Sequence, residues 1–243
     1  LDADELRAEE PAVRAALGAL LVPGGHVDPR RLLTALKAAC SSLGVELRYQ
    51  AAVEGLQPGE VVSGGVTTAY DEVVLASGAW TPALARLAGI DLAGEPVKGQ
   101  LIRFQVADGR LHSFIHSHHA YLVPRAGAGL VVGSTMVIAG FDRSQDAMAI
   151  DRLANQARLL IPSLADAPIA ETWTGLRPRL EGGRPVIGRL ESGLLLATGH
   201  FRNGILLAPI TAEIIAALVA GAAAPAVADP FAWHDRQRQA RTP

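Results

Sequence analysis

Apolar and polar positions along this chain repeat with two periods, and each change of period marks an element. Over His26–Gly44, apolar side chains recur at 32, 33, 36, 39, 40 and 43, a spacing that puts them on one face of a helix and predicts that face to be dry. Asp28 suits the cap, Pro29 the first helical position and Gly44 the stop. The stretch 45–57 reads as one or two strands, and Ser63-Gly64-Gly65 as a hairpin turn. Residues 72–80 predict a buried strand ending at Gly78, and 81–89 a short helix. A strand-rich middle follows over 98–106, 120–125 and 129–136, with Gly and Asp at the turns. An amphipathic helix is predicted over 146–164, strands over 169–178, 184–189 and 193–198, and a final buried helix over 204–221 stopped by Gly221. The tail after Pro225 reads as loosely held.

This order is that of a mixed α/β (α+β) chain with an inserted antiparallel layer. The chain has 243 residues, 49% hydrophobic and 19% charged, which is enough for one large or two small domains with a real core. The formal charge is −2 and no Lys/Arg run exceeds two residues, so nucleic acid is not an expected partner. The single cysteine, Cys40, excludes an internal disulfide and a multi-cysteine metal site; its place on the apolar helix face predicts a core residue. The longest weakly polar run, Ile214–Ala228, falls short of the ~20 residues that span a bilayer. No membrane partner is expected, and the start LDADELRAEEP is too acidic for a signal peptide, so the expected location is the cytoplasm. His112, His116, His118 and His119 cluster in HSFIHSHHAY, but no acid or cysteine joins them at metal-binding spacing; a polar loop is expected there, and no metal. Trp80 and Trp173 read as packing residues.

One stretch stands out. In GHFRNGILLAP (199–209), an Arg and an Asn interrupt the passage from an apolar strand to an apolar helix. A strand feeding directly into a helix puts that helix's unpaired N–H groups at the carboxyl edge of a sheet, where α/β proteins bind ligands and where negative charge is favoured. Gly204 permits close approach of a flat ligand. The same residues also read as a plain capped helix, with Asn203 the cap and Arg202 solvated; both readings stand on pattern alone.

GHFRNGILLAP, together with GGHVDPRRLL, VVLASGAW, YLVPR, GLVVGSTM…GFD, TWTGLRP and RPVIG, in that order over most of residues 11–221, resembles the glycine oxidase branch of the D-amino-acid oxidase family. The resemblance implies a partial FAD-binding Rossmann-like domain over 24–95 and 177–221, an antiparallel-sheet substrate-binding domain over 1–23 and 96–176, and a tail over 222–243. It assigns Arg177 of GLRP to the clamp on a substrate carboxylate, where a planar fork makes two parallel charge-assisted bonds. It assigns Tyr121 to the same carboxylate, Met136 to the substrate pocket, and Arg202 to positive charge near substrate and flavin. His200, Phe201, Arg202, Asn203, Gly204, Ile205 and Leu206 match the segment facing the pyrimidine end of the flavin. Val53 matches a backbone contact to the adenine portion, and Gly78 a close approach to the cofactor. The implied reaction passes a hydride from the α-carbon of a small amino acid (glycine, sarcosine or D-alanine) to flavin N5. The products are an imine, then a 2-oxo acid and ammonia, with dioxygen reduced to hydrogen peroxide. Sarcosine oxidases and D-amino-acid dehydrogenases are further relatives in the same class, and a homo-oligomer is compatible with it.

The GxGxxG turn that opens the family's first βαβ unit is not found: Gly127-Ala128-Gly129 lacks the third glycine and precedes a strand. The expectation is a chain corresponding to the later two-thirds of such a protein, with sheet edge and apolar surface left exposed. A catalytically silent scaffold, or a module that pairs with a separate Rossmann segment, is the alternative function.

Overall fold

A computed structural model describes residues 1–14, 17–109, 111–118 and 120–233. The first elements are helices α1 (Ala3–Glu9) and α2 (Pro29–Ser42), strands β1 (Val53–Gln57), β2 (Glu60–Ser63), β3 (Val66–Ala69) and β4 (Val74–Leu75), and helix α3 (Thr81–Leu87). Strands β5 (Gly94–Phe104), β6 (Ile115–His116), β7 (Tyr121–Arg125), β8 (Gly129–Gly133) and β9 (Val137–Ile138) follow, then α4 (Ala147–Leu160), β10 (Ile169–Leu180), β11 (Val186–Arg189), β12 (Leu195–Thr198) and α5 (Gly204–Val219). The chain divides into two compact units, Leu1–Ser42 with Lys98–Val137 and Asp142–Gly175, and Leu43–Val97 with Ile138–Phe141 and Leu176–Pro243. Helix α2, grouped by the sequence expectation with residues 43–95, lies in the first unit.

The first unit is built on a sheet of order β10-β5-β8-β7-β6, with β9 paired to β5. On β5, Ile102 and Phe104 stand two apart and so share a face; Leu122 of β7 and Val132 of β8 join them in the core. Leu153, Ala154 and Ala157 of α4 cover that face, with Ile161 and Leu164 beyond. Each such buried side chain contributes about 1.5–3 kcal/mol. Helix α4 starts where its cap dictates: the Asp146 carboxylate accepts the N–H groups of Met148 and Ala149. Helix α1, not foreseen from sequence, has a full capping box formed by Asp2 and Glu5. At its end the buried carboxylate of Glu10 accepts the backbone N–H groups of His112 and Ser113. Asp28 caps α2 through the N–H groups of Arg30 and Arg31. Arg30 then pairs with Glu171 at 2.7 Å and lies 4.7 Å above the Trp173 ring, so that Trp173 does serve packing.

The predicted dry face of α2 is not dry. Leu33 and Leu36 are each 53% exposed, none of the helix's residues is buried, and Cys40 is half-buried rather than core. The apolar period identifies which face would be covered, and not whether something covers it.

The second unit holds two small sheets. Strands β1-β2-β3 form an antiparallel meander, turned between β2 and β3 by Gly64 and Gly65, both at positive φ. Strands β11-β12-β4 form the other, with β12 parallel to β4 and antiparallel to β11. Leu56, Leu75, Leu180, Val186 and Leu196 build the main core with Ala85 of α3. Arg189 braces the unit: it meets both oxygens of Glu72 at 2.8 and 2.7 Å and donates to the carbonyls of Gly193 and, near the end of α5, Leu218. Three expectations change here. Residues 45–50 form no strand, leaving only β1 from that stretch. Helix α5 is not buried all round: Thr211 and Ile214 are its buried residues, whereas Ile205 is 49% and Leu206 78% exposed. The tail is not loose over 226–231, where a 3₁₀ helix packs Ala228 against Ile187 and Ile214.

Candidate functional site

In the second unit the strand-to-helix passage singled out in the sequence joins β12 to α5 directly, through Gly199–Asn203. Four contacts fix this loop. The Thr198 hydroxyl donates to the Gly78 carbonyl at 3.3 Å, bringing the loop's start to the end of the β4 segment. Gly199, at φ +80°, lies against Leu180; a Cβ there would stand 2.5 Å from the Leu180 Cδ1. Phe201, itself at φ +49°, donates its backbone N–H to the Pro178 carbonyl at 2.9 Å. His200 Nε2 lies 3.0 Å from the Thr211 hydroxyl, about two turns into α5. A non-glycine residue at positive φ is costly, and such positions persist where the surroundings over-determine them.

The outcome is a cluster. Gly78, His200, Phe201, Arg202, Asn203, Gly204, Ile205 and Leu206 stand on one loop and its neighbour, and the Phe201–Pro178 bond sets them beside β10 next to Arg177. The Arg177 side chain is half-buried and Arg202 exposed. Asn203 occupies the cap position of α5, but its side chain makes no capping hydrogen bond to a described residue, so the reading of Asn203 as a plain cap is not what the structure shows. The first N–H groups of this sixteen-residue helix therefore keep their donor capacity. A Cβ at Gly78, φ +57°, would meet no described atom within 4 Å, and one at Gly204 would meet only His200 Cβ at 3.7 Å. The surface in front of both backbones is open. Burial lowers the His200 pKa below its usual 6.5, so the ring is neutral at pH 7. On β10, Arg179 pairs with Glu95 and does not share Arg177's assignment.

Val53 heads β1 and packs against the Leu56 core. In the first unit, Tyr121 stands on β7 and Met136 just after β8. Tyr121 pairs with Gly133, where a Cβ would lie 2.6 Å from the tyrosine oxygen, so the ring rests across the glycine. Met136 follows three residues later and is 56% exposed. The cleft of about 280 Å³ lined by His26, Asp108, His112 and Arg125 contains none of the predicted residues. Among the described residues no three His, Cys, Asp or Glu side chains stand together as metal ligands; His119 lies outside them. No helix among them is long and apolar enough to cross a membrane. Sequence reasoning missed Thr198, Thr211, Lys98 and Gln100. The last two were signalled by VKGQ, a polar pair at strand spacing inside an apolar run.

The profile of the DAO family, described as FAD dependent oxidoreductase, matches residues 1–218. Glycine oxidase of Pseudomonas putida is 40% identical over 207 residues, 81% of this chain and 56% of that protein. The bifunctional protein ThiO/ThiG of Nostoc sp. is 38% identical over 227 residues, 89% of this chain and 34% of that protein. The crystal structure of glycine oxidase from Geobacillus kaustophilus superposes with a TM-score of 0.90 at 33% identity, covering 96% of this chain and 65% of that one. The chain thus spans less than two-thirds of the length of these relatives. With the family profile matched over most of its residues and the same fold present in a glycine oxidase, the chain belongs to the DAO family of FAD dependent oxidoreductases.

Proposed function

We propose that this chain carries the flavin-facing and substrate-facing part of an FAD-dependent oxidase acting on glycine or another small amino acid. The observation that carries the reading is the Phe201–Pro178 backbone bond, which sets the uncapped start of α5 beside the strand bearing Arg177. The donor set fits a flavin: backbone N–H groups for the ring's carbonyl end, with Gly78 and Gly204 leaving open, side-chain-free surface. His200 through Leu206 and Gly78 would hold that end, and Val53 keeps the adenine contact the resemblance assigns. When bound, FAD supplies the acceptor for the two electrons removed from the amine carbon.

The chain's own residues do the rest. Arg177 orients the amino acid by its carboxylate, which fixes the α-carbon without any side-chain base. The helix dipole at Gly204 and the charge of Arg202 stabilise negative charge that develops nearby. Neutral His200 holds the loop to Thr211 and adds no charge of its own. Tyr121 and Met136 keep the assigned roles of carboxylate contact and pocket lining.

The test is Arg177→Lys in the flavin-loaded protein, measuring peroxide release from glycine. Loss of the fork should raise KM about ten- to a hundredfold, the equivalent of the roughly 1.5–3 kcal/mol of a charge-assisted hydrogen bond. An unchanged KM would remove the clamp. Absence of flavin absorbance after reconstitution with FAD and a separately supplied GxGxxG segment would remove the cofactor reading.

A further inference from the structure

Two polar side chains lie in an otherwise apolar row on β5. Lys98 and Gln100 alternate with the strand pleat and so share a face with Ile102 and Phe104. They are only 6% and 2% exposed. Burying an ammonium and an amide in a sheet costs free energy unless both are partnered, and here both are.

The partners all come from one stretch of chain. Lys98 Nζ donates to Asp142 Oδ2 at 2.7 Å and to the Ser144 hydroxyl at 3.3 Å. Ser144 in turn donates its backbone N–H to Asp142 Oδ1 and its hydroxyl to Oδ2, both at 2.8 Å. Gln100 Oε1 accepts the Asp146 N–H at 2.6 Å, at the cap of α4. The Gln100 backbone N–H donates to the Thr135 hydroxyl at 2.9 Å, and its carbonyl accepts the Thr135 N–H at 3.3 Å. The apolar half of this strand face therefore seats α4, while the Lys98 and Gln100 side chains grip Asp142–Asp146 and the Gln100 main chain holds Thr135, at the other end of the segment between β8 and α4.

We infer that Lys98 and Gln100 are positioning residues, a clasp that fixes the backbone on which Met136 stands. Met136 is largely exposed, and its neighbours are tied down on both sides, Thr135 by the Gln100 main chain and Val137 by the pairing of β9 with β5. The consequence for substrate rests on the proposed function, since that reading gives Met136 a pocket-lining role. A side chain that lines a small pocket from a loosened backbone binds substrate less tightly, while the groups around the reacting carbon keep their places.

Hydrogen exchange on the 243-residue chain reads the clasp without any catalysis. In Lys98→Met and Asp142→Asn, amides of Asp142–Asp146 should exchange at least tenfold faster, with those of β7 and β8 unchanged. Unchanged exchange in the gripped stretch overturns the clasp; so does an equal rise over the whole first unit, which would mark a general loss of packing. Asp142→Asn alters a half-exposed side chain and keeps the experiment decisive if Lys98→Met does not fold. The second measurement is steady-state kinetics of the flavin-loaded protein. KM for the amino acid should rise severalfold, with kcat within about twofold of the parent. A loosened segment with unchanged KM overturns the role of Met136 and not the clasp.

Discussion

Adding one methyl group at Gly199 tests how the loop before α5 is held. The alanine Cβ would lie 2.5 Å from Leu180 Cδ1 and 2.7 Å from its Cγ, with the Arg184 carbonyl at 3.3 Å. Two costs arise. A non-glycine residue in the left-handed region costs about 1–2 kcal/mol, and overpacking a filled core costs about 1–3 kcal/mol more. Gly199→Ala should therefore destabilise by about 2–5 kcal/mol. Gly78→Ala provides the control, since it has positive φ and no described atom within 4 Å of the new Cβ, so only the first cost, about 1–2 kcal/mol, applies. Urea unfolding followed by tryptophan fluorescence suits the comparison, because Trp233 packs against the same core as Leu180. Leu180→Ala removes both the Cδ1 and the Cγ that clash. Alone it destabilises; combined with Gly199→Ala it should recover stability, with a coupling of roughly 0.5–3 kcal/mol. Equal losses at Gly199 and Gly78, or strict additivity with Leu180→Ala, would refute the contact as the reason for glycine here.

Gly133→Ala should push the Tyr121 ring from its seat, where the new Cβ would lie 2.6 Å from the phenolic oxygen; a severalfold rise in KM for glycine checks it, and an unchanged KM removes Tyr121 from the carboxylate. Two groups predict opposite parts of the acid profile. The Lys98 and Ser144 bonds hold the Asp142 pKa near 2, below the usual 3.8, so its contribution to stability is complete above 3.8 and is lost as pH falls from there towards 2; NMR titration of its carboxyl should show a midpoint near 2. Burial depresses His200, so its contribution is complete above 6.5 and is lost as pH falls below that; a His200→Gln chain should lose less stability between pH 7 and 5 than the parent.

Elements that signal themselves locally were legible in the sequence. The Asp146 cap with its apolar period gave α4, and Gly64-Gly65 gave the β2–β3 turn. Helix α1 was equally local, through Asp2 and Glu5, and its polar composition hid it. Elements that depend on a neighbour were not legible. Val45, Leu47 and Tyr49 alternate like a strand, yet a strand forms only where another backbone pairs with it. An apolar face on α2 or α5 says nothing of what lies opposite. The site shows the same division: GHFRNGILLAP announced a direct strand-to-helix passage, but the fit of Gly199 to Leu180 and the reach of His200 to Thr211 depend on tertiary placement. Lys98 and Gln100 look, in sequence, like faults in a strand.

Helix α5 is fastened twice, at its middle by His200 to Thr211 and near its rear by Arg189 to the Leu218 carbonyl. A rod pinned twice cannot slide along its axis without breaking one pin. Its leading amides consequently stand at fixed addresses before any anion arrives, and the ordering they need has already been met by folding. Loosening the rear pin, about fifteen residues from the loop, would cost this helix its readiness at the front.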